Sequence, residues 1–333
     1  MDTDIRDYRA NDNAGLAAMW NESQKAWPTG FGGATGYTEE RIANEMKRKQ
    51  ALFQLVSECD GKITGYCWVS IYPREPDACY VALLNVHPDF HGQGLGKRMI
   101  LESVRRAVTL GYFRLDLNTW PSNLKAVPMY KKTGFFWQPD TSVHMQNYIP
   151  GIIRHPACAE FFSNNDWYAT FKRSYDQEPD EIKRGRRNVF PYRFEAGEKF
   201  VEAVIDTESR KIMRVATETF SAGLRLDDPE VIVGRQNFVF FEYEGRDAAE
   251  RTIRWRTPDH PGLRMDTADH TVGQFEVAAW AAVPENDEPA IAVGANVERR
   301  GPTFDLNAGI RPRQPVEIEW RPRPGKRRAL SSG

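Results

Sequence analysis

The stretch Leu84-Asn85-Val86-His87-Pro88-Asp89-Phe90-His91-Gly92-Gln93-Gly94-Leu95-Gly96-Lys97-Arg98 decides how the first half of this chain is read. The apolar run Ala78 to Val86 ends here and is short enough for a buried strand. A proline-containing turn follows, then three glycines at alternate positions. Behind them Leu95, Met99, Ile100, Val104 and Val108 fall at helical spacing, and Gly111 stops the helix. Strand, glycine loop and helix in that order present unpaired backbone N–H groups and the positive end of a helix dipole at the loop. Such an end suits an anion such as a pyrophosphate. Gly92, Gly94 and Gly96 let phosphates approach the backbone without a Cβ in the way, and Lys97 and Arg98 add positive charge.

Taken alone, the loop caps a helix as readily as it binds phosphate. A dinucleotide site needs an early βαβ unit with an acidic residue about 20 residues on. Here a meander leads into the strand, and the elements around Asp116 come in the wrong order. A kinase-type P-loop needs GxxxxGK followed by Ser or Thr, which is absent.

Working outward, Ile5 to Arg9 reads as a short strand, and Asn11-Asp12-Asn13 as the cap of a helix reaching about Gln24. Trp27-Pro28-Thr29-Gly30-Phe31-Gly32-Gly33 is a glycine-rich loop. Thr38 caps a second helix, with Glu39 and Glu40 in its first turn. Ala51 to Glu58 and Lys62 to Ile71 are strands joined at Cys59-Asp60-Gly61. Downstream, Phe113 to Thr119 is a strand, Ser122 caps a helix to about Lys132, and Gly134 stops it. Phe135 to Gln138 and Val143 to Tyr148 close the set. The expected fold class is α/β (α+β): a mixed sheet with helices on both faces.

The second informative stretch is Asn123-Leu124-Lys125-Ala126-Val127-Pro128-Met129-Tyr130-Lys131-Lys132-Thr133-Gly134-Phe135-Phe136. Together the two stretches resemble the GNAT family of N-acetyltransferases. Its loop reads Gln/Arg-x-x-Gly-x-Gly/Ala, and its later pattern reads Asn-x-x-Ala-x-x-x-Tyr-x-x-x-Gly-Phe. The resemblance covers about residues 3–148 and departs at His91, which stands where the family has Gln or Arg. It implies acetyl-CoA as cosubstrate and direct attack of a primary amine on the thioester. The backbone of Leu84, Asn85 and Val86 would pair with the pantetheine arm. His91, Gly92, Gln93, Gly94, Leu95, Gly96 and Lys97 would form the pyrophosphate loop, and Asn123 would contact the pantetheine portion. Tyr130 would protonate the leaving thiolate, a role suited to a phenol with a pKa of about 10. Without the flanking Asn123 and Gly134-Phe135, Tyr130 reads first as a core aromatic on an amphipathic helix.

No motif fixes the group that takes the amine proton; Glu75, Asp77, Tyr80, Asp116 and His144 are the candidates. The resemblance places the acceptor beside the first helices and their loop, at Trp20, Trp27, Gly30 to Gly33 and Tyr37, with Tyr72 and Trp120. Aromatic walls suit an apolar or cationic amine, on a small molecule or a peptide; the same aromatics also serve to plug a cleft edge. The alternative to an enzyme is an acyl-CoA sensor without turnover.

Beyond residue 149 the composition shifts. Phe161, Phe162, Trp167, Tyr168, Phe171 and Tyr175 crowd a stretch too aromatic for a flexible linker, so a short docked helical segment is expected over 150–187. From Asn188, strands are expected at Val189–Phe194, Lys199–Asp206, Lys211–Phe220, Asn237–Glu244, Arg251–Arg256, Gly273–Ala282, Ala290–Glu298 and Val316–Trp320. Short strands with turn signals between them suggest a β-sandwich, Ig-like in kind, over 188–322. The expected organisation is thus 1–149, a linker 150–187, 188–322 and a basic tail 323–333. The second half carries no nucleophile motif, metal spacing or phosphate loop, and His260 and His270 stand ten residues apart in loop-like sequence. Acceptor binding, homodimer formation and shielding of the cleft remain open for it.

The net charge of −1 gives no global field toward nucleic acid or a membrane surface. The run Arg321-Pro322-Arg323-Pro324-Gly325-Lys326-Arg327-Arg328 reads as a frayed tail. No apolar run approaches the roughly 20 residues of a membrane span, and Met1-Asp2-Thr3-Asp4 lacks a signal-peptide pattern. A cytoplasmic location is expected. The four cysteines form no CxxC pair; Cys67 and Cys79 lie in strands as small hydrophobes, and no metal site is expected.

Overall fold

The structure is a computed structural model. It describes residues 3–24, 36–72, 75–120, 122–123, 126–245, 252–256, 262–266, 271–278, 291–299 and 303–313. Trp27, Gly30 to Gly33, His260, His270, the strand expected at Val316–Trp320 and the basic tail lie outside the described residues.

The first part runs β1 (Asp4–Asp7), α1 (Asn13–Ser23), α2 (Glu39–Arg48), β2 (Ala51–Cys59), β3 (Lys62–Ile71), β4 (Ala78–Val86), α3 (Leu95–Leu110), β5 (Arg114–Asn118), α4 (Val127–Lys132), β6 (Phe135–Trp137) and β7 (His144–Asn147). Local chemistry sets most of these limits. The β2–β3 hairpin turns on Asp60 and Gly61, both at positive φ. The Thr38 hydroxyl accepts the Arg41 N–H at 3.2 Å, Glu39 and Glu40 open α2, and Lys47 and Arg48 close it, all matched to the helix dipole. Two expected caps are corrected. Asp12 does not cap α1, because its carboxylate is taken by the Arg6 guanidinium at 2.7 and 2.9 Å and by the Arg9 N–H at 2.6 Å. Ser122 does not cap α4, which starts only at Val127. Pro128 falls in its first turn, where a missing N–H costs nothing.

These seven strands form one sheet in the order β1-β2-β3-β4-β5-β7-β6. Every pair is antiparallel except β4–β5. The parallel pair is short, running from Ala78↔Arg114 to Val81↔Leu117. Beyond it β4 continues to Val86 held by β3 alone, so the sheet opens into a gap between β4 and β5. A register shift opposite Trp68 and Val69 leaves Ala82 as an extra residue in β4 at the mouth of that gap.

Side-chain alternation gives the sheet two different faces. Cys67, Val81 and Leu117 point into the core with Met99, Ile100 and Val104 of α3. On the other face, Tyr66 packs under Leu16 and Trp20 of α1 and Ile42 of α2.

Residues 149–170 form three short helices, α5 (Ile149–Arg154), α6 (Ala159–Asn164) and α7 (Trp167–Thr170). Thirteen strands follow among the described residues: β8 (Phe171–Lys172), β9 (Lys183–Arg184), β10 (Arg187–Ala196), β11 (Lys199–Asp206), β12 (Lys211–Thr217), β13 (Phe220–Arg225), β14 (Glu230–Ile232), β15 (Gln236–Gly245), β16 (Thr252–Arg256), β17 (Leu263–Asp266), β18 (Val272–Val277), β19 (Ile291–Glu298) and β20 (Phe304–Arg313). They build a nine-stranded sheet, with β9 on the side of β10, and a four-stranded sheet β14-β20-β19-β16. The two are unequal, and β20 lies over β12. Arg187 and Asp206, both fully buried, pair at 2.7 Å and stitch the layers together: Arg187 donates to Gly309 O, and Asp206 accepts the Gly309 N–H. The expected strand Lys211–Phe220 is two strands, because the Thr217 hydroxyl accepts the N–H groups of Thr219 and Phe220 and turns the chain.

The two parts share one continuous core. The Phe136 ring stacks on Phe190 at 4.7 Å, and the Tyr192 hydroxyl donates to Gly134 O and accepts the Tyr148 N–H. No helix among the described residues is long and apolar enough to cross a membrane.

Candidate active site

The loop after β4 is held by its own side chains. Gly92 and Gly94 sit at φ +77° and +75°, a conformation that costs a Cβ-bearing residue roughly 1–2 kcal/mol. Space opens on the Cβ side of both, with nothing nearer than Lys97 Cε at 4.0 Å. Gly96 is different: a Cβ there would meet Met129 Sδ at 3.4 Å, so this glycine brings α4 against the start of α3. The His91 ring turns back and places Nε2 2.8 Å from Val86 O, and Gln93 donates to Asp89 O at 3.2 Å. Both side chains therefore shape the loop. Arg98 is committed to Thr3 O at 2.6 Å, while Lys97 stands 5.5 Å from the Tyr168 ring of α7. Leu95 is the buried first residue of α3. His87, which the sequence reading missed, is buried before the loop; its Nδ1 accepts the Asp89 N–H at 3.2 Å and its Nε2 meets Glu22. The His87-Pro88 turn was its only signal.

Leu84, Asn85 and Val86 pair with Cys67, Tyr66 and Gly65 of β3, leaving the other edge of β4 to the gap. Leu84 and Val86 lie on the α3 side with Gly96. Tyr130 enters from the same side. It is 8 % exposed and packs edge-on against Phe135 at 5.9 Å, and its hydroxyl has no hydrogen-bond partner among the described residues. Burial pushes this phenol well above its ordinary value, so it stays protonated. Asn123 donates to the Thr119 hydroxyl at 2.8 Å and accepts the Ala126 N–H through its carbonyl, which shapes the turn into α4. Lys131, fully buried, anchors the helix to Asp176 at 3.0 Å, Asp180 at 3.2 Å and Glu178 O at 2.5 Å.

The opposite face of the gap is charged. Arg114, 2 % exposed, donates to Asp116 at 2.6 and 2.9 Å and to Glu75 at 2.7 Å. Glu75 also meets Arg210, and Asp77 meets Lys211, both from the β11–β12 turn region. His144 Nε2 lies 3.2 Å from the second Asp116 oxygen. Of the five expected proton acceptors, the structure therefore gathers Glu75, Asp116 and His144 around one guanidinium, and it pairs Asp77 with a lysine. Tyr80, on the same face as its partner Asp116, lies 5.9 Å from the Tyr72 ring. Burial alone would raise the Asp116 carboxyl; the charge of Arg114 and the hydrogen bonds from His144 and Arg114 outweigh it and hold the group below the usual carboxylate range.

Trp20 is corrected as an acceptor wall. It is buried between Tyr37 at 4.9 Å and Tyr66 at 5.5 Å. Beside it the Lys49 ammonium sits 5.1, 5.1 and 4.6 Å from the rings of Trp20, Tyr66 and Trp68.

An open parallel pair, a glycine loop at a helix start and an adjoining tyrosine helix thus stand together at one gap. Residues 16–135 match the model of the acetyltransferase (GNAT) family. Among curated relatives, a mycothiol acetyltransferase of Pseudarthrobacter chlorophenolicus is 32 % identical over 92 residues, 26 % of this chain and 28 % of the relative. A mycothiol acetyltransferase of an Arthrobacter species is 26 % identical over 161 residues, 44 % of this chain and 50 % of the relative. A putative ribosomal protein bS18-alanine N-acetyltransferase of Bacillus subtilis is 29 % identical over 98 residues, 29 % of this chain and 63 % of the relative. The chain thus spans between 28 % and 63 % of the length of these relatives.

Proposed function

We propose that the chain is an N-acetyltransferase that moves an acetyl group from acetyl-CoA to a primary amine. One observation supports this reading: the open edge of β4, the glycine loop and buried Tyr130, whose hydroxyl has no partner among the described residues, lie on one side of one gap. The residues fit the donor. The edge of Leu84 to Val86 away from β3, where His91 holds Val86 O, offers its other backbone groups to a pantetheine amide. The space beside Gly92 and Gly94 leaves the N–H groups from Gly92 to Lys97 open to a pyrophosphate.

In this reading the amine attacks the thioester directly. A backbone N–H, that of Val86, polarises the carbonyl, and positioning supplies much of the rate. The Tyr130 hydroxyl, kept protonated by burial, gives its proton to the departing thiolate. Lys131 keeps α4, and with it Tyr130, against the gap. His91 contributes through Val86 O, as a brace of the loop. The relatives are named for mycothiol and for a ribosomal-protein alanine, so the acceptor is an amine on a small molecule or a peptide. The test is an amine library screened by thiol release with acetyl-CoA and longer acyl-CoAs. The expected outcome is saturable acetyl-CoA binding, and turnover with at least one amine class. Absence of saturable acetyl-CoA binding overturns the reading.

A further inference from the structure

The charged side of the gap holds a pair that the motif-bearing stretches do not contain. We infer that His144 is the base that takes the proton from the acceptor amine, and that Asp116 positions it. The inference rests on the N-acetyltransferase reading and names a residue which that reading leaves open.

Placement comes first. His144 pairs across the sheet with Asn118, the last residue of β5, beside the point where β4 and β5 part. Asp116, Asn118 and His144 share one face, and Tyr130 lies on the other, with Phe135. An acid and a base so placed flank the gap from opposite sides. A thioester lying through the gap would meet Tyr130 at its sulfur and an amine arriving from the His144 side at its carbonyl.

Hydrogen bonding sets the ring. Asp116 is a buried carboxylate kept ionised by Arg114, so it accepts from His144 Nε2. Nε2 therefore carries the hydrogen and Nδ1 carries the lone pair. Nδ1 has no partner among the described residues, and the side chain retains 22 % exposure. This is the arrangement of a general base: one nitrogen fixed by a carboxylate, the other open. The other titratable or charged groups gathered here are Arg114 of β5, Tyr80 of β4, Tyr72 and Glu75 before β4, Tyr148 after β7, and Arg210. Glu75 is bound to two guanidiniums, and the phenols of Tyr72, Tyr80 and Tyr148 are pushed up by burial. His144 is left as the group with an available lone pair.

The step balances. The amine nitrogen forms a bond to the acyl carbon and the carbon–sulfur bond breaks. One amine proton passes to His144 Nδ1, and the thiolate takes the Tyr130 proton. The chain also ties this pair to its second part, because Arg210 grips Glu75, Glu75 grips Arg114, and Arg114 holds Asp116.

The experiment compares the full-length chain with His144→Ala and His144→Gln in the thiol-release assay, using an amine found active in the screen. Both variants are expected to lose about 10²-fold in kcat while coenzyme A binding changes less than twofold. The acid limb of the kcat/KM–pH profile should vanish, and free imidazole should restore part of the His144→Ala turnover. Gln can still donate to Asp116, so His144→Gln controls for a structural role and covers the case in which His144→Ala fails to fold. If His144→Gln turns over within twofold of the wild type with the same pH profile, this inference is overturned while the transferase reading stands. If the wild-type chain turns over no amine, both fall.

Discussion

The two sides of the β4–β5 gap are built from different materials. The α3 side is apolar and almost uncharged, and its chemistry lies in backbone N–H groups, glycine conformations and one buried phenol. The opposite side is a chain of buried ions that runs from Asp116 through Arg114 and Glu75 to Arg210 in the second half of the protein. In the proposed reading, a donor common to many acyl transfers is served by backbone, which any sequence with the right glycines supplies. The same reading leaves handling of the acceptor to side chains, and those need a second body of structure to hold them. The stacked rings of Phe136 and Phe190 bring that body to the charged side.

The largest effect that would break this contrast is loss of its central cation. Arg114→Met leaves Glu75 and Asp116 facing each other without a buried counter-charge. That should cost about 3–5 kcal/mol, read as a lower urea midpoint or as failure to accumulate folded protein. The sign with pH follows from the depressed Asp116 carboxyl. Its stabilisation is full above the ordinary carboxylate range of about 3.9 and is lost as pH falls through and below it. The variant should lose that acid dependence. A destabilisation under about 1 kcal/mol would mean that the charged side is not a structural unit.

On the apolar side the comparable probe is Tyr130→Phe. The hydroxyl has no partner among the described residues, so folding stability should hardly move. Turnover should fall by about 10²–10³-fold with coenzyme A affinity unchanged. Unaltered kcat would remove the acid from the proposed mechanism.

Gly94→Ala tests the backbone half of the contrast at smaller scale. A left-handed alanine at the start of α3 should cost about 1 kcal/mol in stability. It should also weaken acetyl-CoA binding several-fold, measured by calorimetry. An increase in stability would show that the φ of +75° is not required.

The same contrast explains what was legible from the sequence. The limits of α3, Leu95 and Leu110, follow from five apolar positions between Gly94 and Gly111. The glycine loop and the Asn123–Phe135 pattern are runs of consecutive residues whose meaning is local. The ion chain joins Glu75, Arg114, Asp116, His144 and Arg210, which meet only after two sheets have formed. Its one local sign was Arg114-Leu115-Asp116, two opposite charges two residues apart on one face of a buried strand. Strands β9, β14 and β17 are two to four residues long, too short to show alternation. Trp20 misled because an aromatic in an acceptor helix and an aromatic in a core have the same spacing.

Lys49 gives the finest test, because it puts one cation on the otherwise aromatic part of the acceptor-side face. Burial among Trp20, Tyr66 and Trp68 lowers its ammonium to about 8, and Glu45 only partly offsets this. A lysine depressed in the folded state binds its proton more tightly when unfolded. Below about pH 8 the folded chain therefore carries the cost of burying the charge. As pH rises from about 8 toward the ordinary lysine value of about 10.4, the folded amine becomes neutral first and stability rises. The group is part-exposed, so solvent screening should reduce the gain to about 1 kcal/mol. Urea midpoints compared at pH 7.5 and 9, before the tyrosines ionise, should increase in the wild type and stay flat in Lys49→Met. Met keeps the length and fills the aromatic box without charge, so it should also be at least as stable as the wild type at pH 7.5. A less stable Lys49→Met would mean that attraction of the rings for the ammonium exceeds its desolvation. The acceptor-side face would then carry a second stabilising cation beside Arg114.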